Sequence, residues 1–212
     1  MIALVATQSR MGLVSALIGA LVVFGLHSRA HLGAGLMAGS GLLAIAVLVA
    51  GDGVAARLPF LPADWNIRAD FYAQIWGLIS ARPFTGYGAD SFALAFETVH
   101  APPVSAAFLW DRAHSTYLEL WVENGVIIGS LPIVAGFWAA MGLRRRAHNC
   151  HAPTRFAARA ALGALALGAA HALFDFGLEI LANQILLITI LAAALAGTDQ
   201  SGRTKPFPEI PT

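Results

Sequence analysis

The sequence predicts an all-α fold: a polytopic membrane helix bundle of about five transmembrane helices, with a long extracytoplasmic loop that carries an interfacial amphipathic helix. Three observations support this. Of the 212 residues, 58% are hydrophobic and only 12% charged, with a mean hydropathy of +0.69. Soluble domains run at about 25% charged, and hydrocarbon penalises charge. The apolar residues gather into stretches of near-spanning length, and five of the 13 basic residues gather into one short loop without an acid. A net charge of +1 suggests neither a nucleic-acid nor an acidic partner, and the single Cys150 excludes an intramolecular disulfide.

A span needs about 20 apolar residues, and five stretches are candidates. The first is Met11–Leu26, with Arg10 at its start. The second is Leu32–Ala50, whose Gly and Ala content suits close helix packing. The third is roughly Leu118–Leu143, with Pro132 as the expected kink. The fourth and fifth are about Ala157–Phe174 and Leu178–Ala196. As one helix, Ala157–Ala196 would be about 60 Å long, twice the bilayer core. The chain must therefore reverse within Phe174–Gln184, where Asp175 and Gly177 suit a turn and Asn183 a helix N-cap.

Orientation follows the Lys/Arg count in short loops. The loop after the third stretch holds Arg144, Arg145, Arg146, Arg155 and Arg159, which assigns it to the cytoplasm. Alternation then places residues 1–50 as two spans, 51–117 as the outer loop, 118–197 as three spans and 198–212 as a disordered cytoplasmic tail. In the outer loop, Ile67, Phe71, Ile75 and Leu78/Ile79 recur at helical spacing. With Trp65 and Trp76 nearby, Ile67–Ala81 reads as an amphipathic helix on or in the outer leaflet. Gly86 and Gly88 permit a tight turn after Pro83.

This arrangement gathers Arg10, Arg68, His114, His171 and Asp175 at one face, and each has two readings. Thr116 and Glu119 fit a capping box, with Thr at N-cap and Glu at N3, and Tyr117 suits an interfacial anchor. His114 lies outside the box beside Arg112, and an imidazole titrating near neutrality suits a general base. Arg10 and Arg68 are either snorkelling anchors or clamps for a phosphate, whose geometry a guanidinium matches. His171 and Asp175, four residues apart, would share one helix face, and either pin the reversal or belong to the site. His148, Cys150 and His151 fit no standard zinc spacing, so no metal site is expected.

Four segments together resemble the O-antigen ligase/polymerase superfamily of bacterial membrane glycosyltransferases. TQSR, Thr7–Arg10, resembles its T-x-S-R. Arg68–Phe92 resembles its R…W and P-x-x-G-x-G-x-x-x-F pattern. Ala113–Gly129 resembles its AHN-x-YL…E-x-G-x-x-G block, with Ser115 where Asn is common. His171–Asn183 resembles its H-x-L-x-D-F…I-P-A-N ending, with Leu181 where Pro is common.

The resemblance implies a metal-independent, cofactor-free enzyme of the bacterial inner membrane. Such an enzyme moves a glycan from undecaprenyl diphosphate to an acceptor hydroxyl on lipid A core, a polysaccharide or a protein, at the outer face. It assigns His114 the acceptor proton and Arg10 and Arg68 the diphosphate, with Arg112, Tyr117, Glu119, His171 and Asp175 as supporting residues. The family has about twice as many spans, so this chain corresponds to its C-terminal half, with an N-terminal half as an expected partner. The alternatives are a polysaccharide polymerase of the same superfamily and a non-catalytic membrane fragment or transporter half. A transporter would place its ionisable residues near the bilayer midplane.

Overall fold

A computed structural model describes residues 10–27, 33, 61–107 and 109–197. Among these residues there are seven helices and no strand: α1 (Arg10–His27), α2 (Leu61–Ala81), α3 (Phe92–Glu97), α4 (Thr116–Gly129), α5 (Leu131–Asn149), α6 (Ala152–His171) and α7 (Leu181–Ala196). The second apolar stretch and the C-terminal tail lie outside the described residues, as does the Arg10 side chain.

Helix α6 is the centre of a bundle, with α1, α5 and α7 packed on it. Small residues allow this. A Cβ on Gly19 would sit 2.7 Å from the Gly163 carbonyl oxygen, and one on Gly163 would sit 2.9 Å from that of Gly19. The close approach suited to small residues therefore joins the first and fourth stretches. Leu143, Ala147, Ala158, Ala161, Leu162 and Ala194 form the core between α5, α6 and α7. Arg159 Nη2 donates to the Ala147 carbonyl at 3.4 Å and Arg146 Nη1 to that of Ala194 at 3.3 Å. Both thus satisfy carbonyls near helix C-termini.

A second core lies in the 61–122 region. Phe71, Ile75, Leu78 and Ile79 of α2 are at most 3% exposed, packed with Phe92, Phe96, Val104, Leu118 and Val122. This corrects the expectation of an amphipathic helix lying in the outer leaflet. The helix is present and begins at Leu61, but from Phe71 to Ile79 its apolar stripe is covered by the aromatic surface of the following segment, while Ile67 and Trp76 stay exposed.

The third stretch is two helices, bent by 69° between α4 and α5. Pro132 does not cause the break. It lies in the first turn of α5, where its missing N–H is no loss. The distortion starts at Gly125, with φ 71° inside α4. There the turn after α2 interlocks with α4. Val126 N–H donates to Pro83 O at 2.7 Å, Tyr87 N–H to Val122 O at 2.9 Å and Gly88 N–H to Glu123 O at 2.9 Å. Gly86, at φ 62°, and Gly125 both need their missing Cβ. A Cβ on Gly86 would strike the Glu123 carbonyl, and one on Gly125 that of Phe84.

The last reversal falls within 172–180, as the length argument requires. Ile180 is the N-cap of α7. Asn183 lies inside that helix and donates from Nδ2 to Gly177 O at 2.8 Å, which corrects its expected N-cap position. Among the described residues no single helix is long and apolar enough to cross a membrane. The bent pair α4 and α5 passes that test together, and α7 and Val14–Leu26 are shorter apolar helices.

Gly125→Ala is expected to destabilise by about 1–3 kcal/mol, because the alanine must hold φ 71° against the Phe84 carbonyl. Gly77→Ala, where a Cβ meets nothing within 4 Å, should not destabilise. Thermal unfolding in detergent compares the two; equal midpoints would show that the interlock contributes nothing.

Candidate functional site

The first turn of α4 departs from a capping box. Ser115 is the N-cap, its side chain makes no capping bond, and Thr116 is already helical. Glu119, 3% exposed, turns its carboxylate elsewhere. Oε1 accepts from Arg112 Nη1 at 2.8 Å, and Oε2 accepts from Ala113 N–H at 2.8 Å. The carboxylate thus bridges a guanidinium and a backbone N–H ahead of the helix, two charge-assisted bonds.

The same carboxylate sets His114. With Arg112 and Ala113 held, the chain passes into α4 through His114 at φ 49°, a left-handed conformation uncommon for a residue with a side chain. Tyr72 of α2 donates its hydroxyl to the His114 carbonyl at 3.0 Å. One turn earlier on α2, Arg68 Nη1 donates to Phe174 O at 3.2 Å, which ties in the 172–180 loop. Ile67, Arg68, Phe71, Tyr72, Trp110 and His114 line one cleft of about 270 Å³. The imidazole is flanked by Phe176, Trp110 and Phe71 at centroid distances of 5.7, 6.3 and 6.4 Å.

Electrostatics follow from this enclosure. Burial first, and then the Arg68 cation, hold the His114 imidazole below its usual 6.5, against opposing pulls from Asp175, Asp111 and Glu119. The ring is therefore neutral at neutral pH and free to accept a proton. Burial pushes the Tyr72 phenol up, with Arg68 opposing, so Tyr72 remains a donor.

The supporting residues divide. Tyr117 donates to Ala169 O of α6 at 2.9 Å, and Thr116 N–H donates to Ala172 O at 3.0 Å. Both fasten α4 to the end of α6. Thr116 Oγ1 also donates to Asp175 O at 3.3 Å. His171 Nε2 lies 3.6 Å from Asp175 Oδ2, but the two do not share a helix face. Helix α6 ends at His171, and Asp175 sits in the following turn, where Oδ1 accepts from Phe176 N–H at 2.8 Å. Arg10 opens α1, and its side chain lies outside the described residues.

Sequence reasoning missed Tyr72, Trp110 and Glu179. Tyr72 had a signal, since it is four residues from Arg68 on a helix. Trp110 had none, because its segment is irregular. Glu179 precedes α7, and Arg112 Nη1 is 3.6 Å from its Oε2. Among the described residues its carboxylate is buried without a hydrogen bond. Arg112 also reaches Asp90 at 3.9 Å, so one cation serves three carboxylates.

The sequence profile of a family described as O-antigen ligase matches residues 1–133. The chain belongs to the O-antigen ligase family. The family match covers Arg10, Arg68, Tyr72, Trp110, His114 and Glu119, so both walls of the cleft fall inside it; His171, Asp175 and Glu179 lie beyond it. No curated protein and no solved structure matches the chain.

One outcome follows for this O-antigen ligase family member. Glu119→Ala leaves the buried Ala113 N–H without its acceptor, a loss of about 1–3 kcal/mol, whereas Glu119→Gln keeps an oxygen there and should lose less. Thermal unfolding of the two variants distinguishes them.

Proposed function

We propose that the chain transfers a glycan from an undecaprenyl-diphosphate donor to an acceptor hydroxyl at the extracytoplasmic face of the bacterial inner membrane. The observation that supports this is the single cleft that Arg68 and a neutral His114 share. His114 takes the acceptor hydroxyl proton as the oxygen attacks the anomeric carbon. The bond from that carbon to the diphosphate oxygen breaks, and the diphosphate leaves with the electron pair. Arg68, joined by Arg10, neutralises the leaving group. Tyr72, Arg112 and Glu119 are positioning residues that hold the His114 backbone.

The multi-pass membrane placement belongs to the same proposal. Leu131, Phe137 and Trp138 of α5 are exposed, as are Ile185, Leu186 and Ile188 of α7, and an apolar surface of this extent suits lipid contact. The α5–α6 hairpin carries the arginine-rich turn at one end and returns to Thr116 at the other. The positive-inside rule would then leave the cleft outside.

Transfer is assayed with the protein in its native-host membranes. His114→Ala should lower turnover by about 10²–10⁴-fold while lipid-linked donor still co-purifies. Arg68→Ala should weaken both, and Arg68→Lys should restore them in part. The acid limb of the rate profile should fall below pH 6.5. Removing the Arg68 cation should move that limb upward, because a depressing charge is lost. Near-normal transfer by His114→Ala would end the assignment.

A further inference from the structure

A second cleft, of about 320 Å³, shares Trp110 as a wall with the first and is bounded also by Glu97 and His100. The geometry points to this cleft as the binding site for a sugar ring of the acceptor glycan. The inference rests on the transferase reading above.

The first argument is adjacency. Transfer requires the acceptor hydroxyl to reach a base while the rest of the acceptor is held nearby. The two clefts meet at one residue, and His114 is 6.3 Å from that residue's ring centroid.

The second argument is chemistry. A pyranose presents a C–H face to an aromatic ring and hydroxyls around its edge. Trp110 is a fixed platform: its indole N–H donates to Ser105 O at 2.8 Å, and its ring packs 4.5 Å from Phe71. His100 is stacked on Phe96 at 5.3 Å, and its Nε2 is 3.2 Å from Val104 O. With Nε2 donating there, Nδ1 is left as an acceptor for a hydroxyl. Glu97 is exposed and makes no ion pair among the described residues, so its carboxylate is available to hydroxyl donors.

The third argument is charge. The cleft with Arg68 has a cation on its wall, and the cleft with Glu97 has an anion. A diphosphate is drawn to the former and repelled by the latter, whereas a neutral polyhydroxyl ring is accepted beside a carboxylate.

The test uses native-host membranes supplemented with an acceptor fraction extracted from cells that lack the lipid-linked donor. Glu97→Ala and His100→Ala should each raise the acceptor concentration at half-maximal transfer by about tenfold, equivalent to one lost polar contact. Excess acceptor should restore the rate, and co-purified donor should be unchanged. Excess acceptor should not restore His114→Ala. Ala107→Trp, at an exposed wall position, fills the cleft without removing a contact and should shift the acceptor dependence the same way. Unchanged acceptor dependence in all three variants overturns the subsite, as does a loss that excess acceptor fails to restore. If the wild-type protein neither carries nor consumes lipid-linked glycan, the transferase reading itself falls, which is a separate result.

Discussion

The site depends on one buried carboxylate. Glu119 accepts from the Arg112 guanidinium and from the Ala113 N–H, both at 2.8 Å, and so fixes two residues ahead of His114. A left-handed histidine costs about 1–3 kcal/mol, and it persists here because its neighbours are held on both sides. The Tyr72 hydroxyl holds its carbonyl, and the next residues are in α4, where Thr116 binds the Ala172 carbonyl. Glu119 fixes the approach to the imidazole, and Tyr72 and Thr116 fix its exit into α4.

The Glu119 clamp works because two distant segments are brought to the same turn. The interlock of Pro83–Gly88 with the distorted part of α4 carries α2 to the mouth of that helix, and with it Arg68 and Tyr72. The return of α6 carries Phe174, Asp175 and Phe176 to the other side, where the Phe174 carbonyl takes Arg68 and the Phe176 ring flanks His114. The cleft is thus a junction of three segments, and a shift in any of them alters the imidazole's surroundings. Burial at that junction is also the leading cause of its neutrality.

Arg112 holds the polar network together. One guanidinium faces Glu119, Glu179 and Asp90. The Glu119 and Glu179 carboxylates are both buried, so a single cation offsets carboxylates from two segments and ties the approach to α7 to the turn that carries His114.

The sequence alone determined the helical class and the reversal near residue 175. Those follow from composition, helical period and bilayer length, all local quantities. His114 stood out because it lies outside the capping box beside Arg112, and Arg68 because a guanidinium matches a phosphate. Tertiary structure decided what those quantities cannot express. Whether the α2 stripe faces lipid or protein depended on Phe92 and Phe96 arriving from the next segment. Whether Glu119 capped its helix or bound Arg112 depended on competition between a backbone donor and a guanidinium. The break in the third stretch came from Gly125 meeting Phe84, forty-one positions away, rather than from the adjacent Pro132, and Trp110 joined the cleft through an irregular segment with no period to read. Each is a contact between segments far apart in the chain, and only packing selects among such contacts.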